Sequence, residues 1–154
     1  MIYWMTGQPG HGKTVLSNLF KDTLWLKNNK PTVQVDGDDL RELTVNKDYS
    51  EQGRINNIRN AQMIAHFCHN KDMNVIVSLV SPYRWLREEF KERMKHHIIE
   101  FYIFADEPRE RDHFHVENYE PPEKNFYLID TTIKSPEDSV REIVDIMEQN
   151  YGRF

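Results

Sequence analysis

The run Gly7-Gln8-Pro9-Gly10-His11-Gly12-Lys13-Thr14 fits G-x-x-x-x-G-K-[ST], a loop whose chemistry is the binding of phosphate. Backbone N–H groups across Gly7, Gly10, His11 and Gly12 can turn inward on an anion, and the dipole of a following helix favours negative charge there. Lys13 can reach the β- and γ-phosphates, and the Thr14 hydroxyl is the expected Mg²⁺ ligand. The flanking residues suit this chemistry. Apolar Ile2-Tyr3-Trp4-Met5 reads as a buried strand, and Val15, Leu16, Leu19 and Phe20 read as the apolar face of a helix. Strand, glycine-rich turn and helix N-terminus together predict a nucleoside triphosphate site.

A second set of polar residues recurs after later strands. Asp36-Gly37-Asp38-Asp39-Leu40-Arg41 follows an apolar run, which puts two carboxylates at a strand's C-terminal end, where open parallel sheets bind ligands. One carboxylate can orient or deprotonate an acceptor hydroxyl and the other can support Mg²⁺ through water. The alternative is an acidic turn capping the helix that carries Arg41. Arg54 and Arg59 lie with Asn57 near the start of a helix; arginine's planar fork suits phosphate or sulfate, although helical arginines are usually solvated. Ser81-Pro82-Tyr83-Arg84 ends another strand, with Ser81 readable as an N-cap, Pro82 as the first helical residue, and both at the same rim.

The elements that must position these groups alternate. Strands are predicted at 2–5, 32–35, 75–80, 98–104 and 126–129, and helices at about 13–28, 51–70, 83–95 and 136–149. The last helix is the best marked, with Ser135 as cap, Pro136 in the first turn, Asp138 completing the box, and Val140, Ile143, Val144 and Met147 in one stripe. The 154 residues fit one domain, 1–154. A net charge of −5 with interspersed signs argues against broad electrostatic binding to nucleic acid or acidic membranes. Cys68 has no second cysteine to pair with, and no secretory signal or membrane-length apolar run precedes the loop, so a reduced, soluble, cytoplasmic domain is expected.

In order along the chain, Gly7–Thr14, Asp36-Gly37-Asp38 with Arg41, Tyr49-Ser50, Arg54 with Asn57-Ile58-Arg59, Ser81-Pro82-Tyr83-Arg84, Arg111-Asp112 and Tyr119-Glu120-Pro121-Pro122 resemble the adenylylsulfate kinase family of P-loop kinases. The resemblance implies an α/β fold, a three-layer α/β/α sandwich around a five-stranded parallel sheet in the order 2-3-1-4-5. It implies transfer of the ATP γ-phosphoryl group to the 3′-hydroxyl of adenosine 5′-phosphosulfate, giving 3′-phosphoadenosine 5′-phosphosulfate in sulfate assimilation. It also implies the residue roles: Asp38, Arg41, Tyr49, Arg54, Asn57, Val80 and Ser81 on the acceptor, with Tyr49 stacking on adenine, and Arg111 packed on the ATP adenine. Lys13 and Mg²⁺ then serve the β,γ-phosphates, Thr14 and Asp36 the metal, and Asp38 the acceptor proton. Ser81 is first a substrate contact and only second a nucleophile.

The chain departs from the family after Arg111-Asp112. A lysine-rich lid of some twenty residues is replaced by His113-Phe114-His115-Val116-Glu117, leading almost at once into Asn118-Tyr119. Residues 107–125 therefore read as an active-site loop or shortened lid. Its loss can slow transfer, raise ATP hydrolysis or admit another acceptor. Two other readings stay open: a kinase of another nucleotide, a sugar or a modified base, and a nucleotide-binding regulatory subunit without turnover. The extension used in family dimers is expected to be missing, since the chain starts at its first strand; a homodimer remains compatible with the resemblance. His113 and His115 are chargeable candidates in the short segment, though surface histidines are the plainer reading. Trp4 and Trp25 read as core, Trp85 as pocket edge, and Lys91, Arg93, Lys95, His96 and His97 as a solvated helix end. His66 and His69 lack a nearby Cys or carboxylate to complete a zinc set.

Overall fold

A computed structural model describes residues 1–106 and 115–152. Its five strands are β1 (Ile2–Thr6), β2 (Thr32–Asp36), β3 (Asn74–Ser78), β4 (Ile98–Phe104) and β5 (Phe126–Asp130). All neighbours pair in parallel, in the order β2-β3-β1-β4-β5 expected from the family. Five α-helices connect or follow them: α1 (Lys13–Asn28), α2 (Gly37–Leu43), α3 (Glu51–His69), α4 (Arg84–Met94) and α5 (Pro136–Tyr151). No helix among the described residues is long and apolar enough to cross a membrane.

Side chains alternate across a strand, so each strand feeds two cores. Ile2 and Trp4 of β1 join Val75 and Val77 beneath Ile58, Ala61 and Ala65 of α3 and Leu86, Phe90 and Met94 of α4. Tyr3 and Met5 face the other way, joining Ile99, Phe101 and Ile103 against Leu16, Phe20 and Leu24 of α1 and the Val140, Ile143, Val144, Met147 stripe of α5. The three-layer sandwich follows from these two cores. At the start of α5, Ser135 Oγ accepts from Asp138 N–H at 3.1 Å with Pro136 at the first helical position, as the sequence predicts.

Four expectations change. Leu16, Phe20 and Leu24 repeat every four residues and set the buried face of α1; Val15 and Trp25 fall off that face and are 50% and 53% exposed, so Trp25 is not core. A short helix, α2, follows β2 directly where none was among the predicted helices, and the capping alternative holds: it carries Arg41 and Asp36 is its N-cap, accepting from Asp38 N–H at 3.0 Å. Ser81 does not cap α4: that helix begins at Arg84 behind Tyr83, and its Arg84 N–H is met by Glu120 Oε2 at 2.6 Å. Lys91 is not solvated either. It bridges Glu100 of β4 and Glu88, because Glu100 occupies the α4-facing side of its strand.

Candidate active site

The parallel register brings the C-terminal ends of β1, β2 and β3 side by side, pairing Met5 with Ser78 and Asp36 with Ser78. The chain leaves β1 directly into the phosphate loop. Gly7 is needed there, because a Cβ would lie 2.2 Å from the Ile103 carbonyl oxygen at φ +153°. Lys13 is buried in the loop and its Nζ donates to the Gly7 and Gln8 carbonyls at 2.9 and 2.7 Å. His11 is anchored from the far side: its Nδ1 accepts from Ala105 N–H at 3.2 Å, and its carbonyl accepts from the Thr131 hydroxyl at 3.0 Å. The loop is thus seated on β4 and β5 independently of any ligand contact.

Asp36 joins the loop to the neighbouring strands. Its Oδ2 accepts from the hydroxyls of Thr14 and Ser78, both at 2.8 Å, while Oδ1 caps α2. A hydroxyl and a carboxylate in contact are hard oxygen donors of the kind Mg²⁺ takes together with phosphate oxygens and water. No cluster of three or more His, Cys, Asp or Glu side chains suited to a metal occurs among the described residues. The donor set therefore fits a metal shared with a phosphate ligand better than a metal caged by protein. Asp38 sits one residue into α2 from Gly37, exposed at the same edge.

The residues expected on the acceptor side gather next to this edge. Arg41 donates to the Asn46 and Asp48 carbonyls at 3.1 and 2.9 Å and lies 4.1 Å from the centroid of the Tyr49 ring, so it holds one face of that ring by a cation–π contact. Arg54 Nε donates to the Tyr49 carbonyl at 2.9 Å. Hydrogen bonds from Ser50 hold the Asp48 carboxyl below its usual range. The Asp48–Ser50 turn packs onto α3 at Gly53, where a Cβ would meet the Asp48 carbonyl oxygen at 2.1 Å. Asn57 is 3% exposed and Ser81 2%, and Asn57 Oδ1 and Ser81 Oγ make no hydrogen bond among the described residues. Orphaned buried polar atoms are uncommon, and these two belong to residues expected to contact the acceptor. Val80 is different: its carbonyl is taken by the Thr6 hydroxyl at 2.8 Å.

Ser81 has φ +46°, a strained region for a residue with a Cβ, and its carbonyl is fixed by Arg87 Nη1 at 2.5 Å. Arg87 also donates to Glu100 at 2.7 Å and to the Glu120 carbonyl at 2.5 Å, so one buried guanidinium ties β3, β4 and the 119–120 segment together. Tyr119 completes this corner. Its hydroxyl is 3.0 Å from Thr6 Oγ1, its ring stacks on Tyr102, and burial pushes its phenol up. A cleft of 610 Å³ opens beside these residues, lined by Tyr49, Arg54, Tyr83, Trp85, His115 and Glu117 among others. Trp85 is at the pocket edge as expected, and His115 lines the cleft. Arg59 is not in the site; it forms a two-pronged ion pair with Glu89 of α4. Arg111, Asp112 and His113 lie outside the described residues.

Sequence reasoning missed Gln8, Arg87 and Gly53. Gln8 occupies a free position of the motif, and nothing local marks it. Arg87 and Glu100 carry a faint signal: a lone carboxylate inside the apolar run Ile98–Phe104 needs a cation, and Arg87 and Lys91 are spaced one helical turn apart to supply it.

The sequence profile of a family described as adenylylsulphate kinase matches residues 1–125. The cytidine diphosphoramidate kinase of Campylobacter jejuni is 33% identical over 105 residues, covering 68% of this chain and 61% of that enzyme, so the match spans about three fifths of that relative. The adenylyl-sulfate kinase of Pseudomonas aeruginosa is 30% identical over 171 residues, covering 97% of this chain and 86% of the relative. The fold superimposes on the APS kinase of Mycobacterium tuberculosis with a TM-score of 0.76 at 21% identity, covering 96% of each chain.

Proposed function

Because the chain belongs to the adenylylsulphate kinase family of phosphotransferases, we propose that it transfers the ATP γ-phosphoryl group to the ribose 3′-hydroxyl of a nucleotide, with adenosine 5′-phosphosulfate as the first acceptor. The observation that carries this is the 2.8 Å contact between the Thr14 hydroxyl and Asp36, which joins the phosphate loop to the acidic turn bearing Asp38. In this reading the donor and acceptor groups lie along the same C-terminal edge of the sheet. Phosphoryl transfer depends on positioning and charge neutralisation more than on covalent help from the protein, and that is what this edge offers.

Lys13 shares its protons between the loop carbonyls and the β,γ-phosphates. Thr14 and Asp36 would hold Mg²⁺, which when bound neutralises charge on the phosphate oxygens. Arg111 is proposed to pack on the ATP adenine. Tyr49, held on one face by Arg41, offers the other to the acceptor base, and Arg54 meets the anionic group at the acceptor's 5′ end. Asn57 and Ser81 use their unpaired oxygens to fix the ribose, next to the backbone of Val80. Asp38 accepts the proton as the hydroxyl O–H bond breaks and the new P–O bond forms. The bond to the bridging oxygen breaks with its electron pair leaving on ADP.

A second acceptor is favoured by two observations. Only six residues separate Asp112 from Tyr119, where the family carries its lid, and a relative that shares 33% identity is a cytidine diphosphoramidate kinase. A cytidine nucleotide with a modified diphosphate would suit the same ribose and anion contacts with a smaller base on Tyr49. An acceptor panel read by ADP release separates the two: adenosine 5′-phosphosulfate, cytidine nucleotides, and simple sugars, each with ATP and Mg²⁺. Stimulation by sugars but by no nucleotide would overturn the nucleotide assignment. In the same assay Gly53→Ala is expected to raise the KM of the active acceptor about tenfold, the equivalent of about 1.4 kcal/mol, with the KM for ATP little changed. The reason is steric: the added methyl must push the Asp48–Ser50 turn, and Tyr49 with it, off α3.

A further inference from the structure

Gln8 belongs to the phosphate loop in sequence, yet its buried side chain pairs with the His115–Val116 segment rather than within the loop. Its amide is paired with the Val116 peptide: Oε1 accepts from Val116 N–H at 2.9 Å and Nε2 donates to the Val116 carbonyl at 2.9 Å. The other Nε2 proton is directed at His115 Nε2, 3.4 Å away. The orientation of the amide is fixed by this pairing, since a flip would set donor against donor and acceptor against acceptor. Val116 and His115 both line the 610 Å³ cleft, together with Glu117 and Asn118.

The two residues that follow this wall segment are tied elsewhere. Tyr119 is held by Thr6, and Glu120 by the Pro82 carbonyl, Arg84 and Arg87. Those contacts run to the end of β1 and to the acceptor-side strand exit. Among the described residues, Gln8 is the one whose side chain links the wall to the phosphate loop. Its own carbonyl is also a partner of Lys13 Nζ, at 2.7 Å. One residue thus touches the phosphate-binding lysine through its main chain and the opposite wall of the cleft through its side chain.

We infer that Gln8 is a positioning residue that couples phosphate binding in the loop to the placement of the acceptor wall at His115–Asn118. The assignment rests on the cleft being the acceptor site. As Lys13 shifts its protons toward an incoming phosphate, the Gln8 carbonyl and peptide readjust, and the amide pair transmits that to Val116. In a chain whose segment after Asp112 is short, this pair does part of the positioning that a longer lid would do.

The test uses amide hydrogen exchange of the whole chain with and without saturating Mg²⁺–ADP, and needs no acceptor. In the unmodified chain, nucleotide is expected to change exchange of the Val116 amide. In Gln8→Leu that amide should exchange about tenfold faster without nucleotide, the change expected on losing a hydrogen bond of ordinary strength, and its response to nucleotide should vanish. Tyr119→Phe removes the Thr6 contact instead and should keep the response. Gln8→Glu, which retains an acceptor for Val116 N–H but sets a carboxylate against the Val116 carbonyl, covers the case in which Gln8→Leu fails to fold; it should also lose the response. An undiminished nucleotide response in a folded Gln8 variant overturns the inference, as does its loss in Tyr119→Phe. An acceptor panel without a single active nucleotide would instead overturn the proposed function and leave the exchange result standing.

Discussion

Asp38→Asn is expected to lower acceptor-dependent ADP formation by about 10²–10⁴-fold, the usual contribution of a positioned general base. The protein should otherwise be unaffected. Asp38 is exposed near the start of α2, its backbone N–H bond to Asp36 Oδ1 is kept by asparagine, and asparagine preserves the size of the side chain and one of its oxygens. The expected signature is a fall in kcat with an unchanged melting temperature and an unchanged affinity for ADP. Near-wild-type turnover in this variant would remove Asp38 from the proton-accepting role and shift attention to Asp36, whose two oxygens already accept from Thr14, Ser78 and Asp38 N–H.

Arg87→Met is expected to produce the largest loss of stability. Arg87 and Glu100 are both 2% exposed, and removing one member of a buried ion pair costs about 3–5 kcal/mol because the other charge is left in the interior. Lys91, 2.5 Å from the other oxygen of Glu100, compensates only in part. For a chain of this size the loss corresponds to a fall in melting temperature of roughly 10 °C. The pair also has a job beyond stability, since Arg87 holds the Ser81 and Glu120 carbonyls. Arg87→Met combined with Glu100→Met should therefore recover most of the melting temperature, as apolar replacement of a buried pair commonly does, without recovering activity. Recovery of both would show that Arg87 matters only for stability.

Much of the fold was legible because periodicity reports which residues share a face. The alternation of apolar runs with helical patterns predicts the parallel sheet, and Ser135, Pro136 and Asp138 mark α5 before any contact is known. Strand order is another matter, since it depends on which strands meet in space and came from the family resemblance. Trp25 shows the limit of composition: a large aromatic reads as core, but the repeat of Leu16, Phe20 and Leu24 leaves it on the outer side of α1. Ser81 shows the limit of local signals. Serine before proline suits a helix cap, but Arg87 draws its carbonyl inward and Glu120, far along the chain, meets Arg84 N–H instead.

The site divides along the same line. The proposed donor half is a contiguous motif that stands out in the sequence, as does the Asp36–Arg41 block. The proposed acceptor half is assembled by tertiary contacts, Arg41 under Tyr49, Asp48 against Gly53, and Gln8 against Val116, and none of these has a sequence spacing that announces it. The two orphaned oxygens on Asn57 and Ser81 became visible only once their burial was known.

The most direct measurement of the central claim follows the label of γ-³²P-ATP through one reaction with Mg²⁺ and adenosine 5′-phosphosulfate or a cytidine nucleotide acceptor. Transfer predicts label on the nucleotide acceptor, in equal amount to the ADP formed, with the new phosphate on the ribose 3′-oxygen. Label recovered only as inorganic phosphate, at a rate indifferent to either acceptor, would contradict transfer to a nucleotide, and no turnover at all despite tight ATP binding would favour a nucleotide-binding subunit.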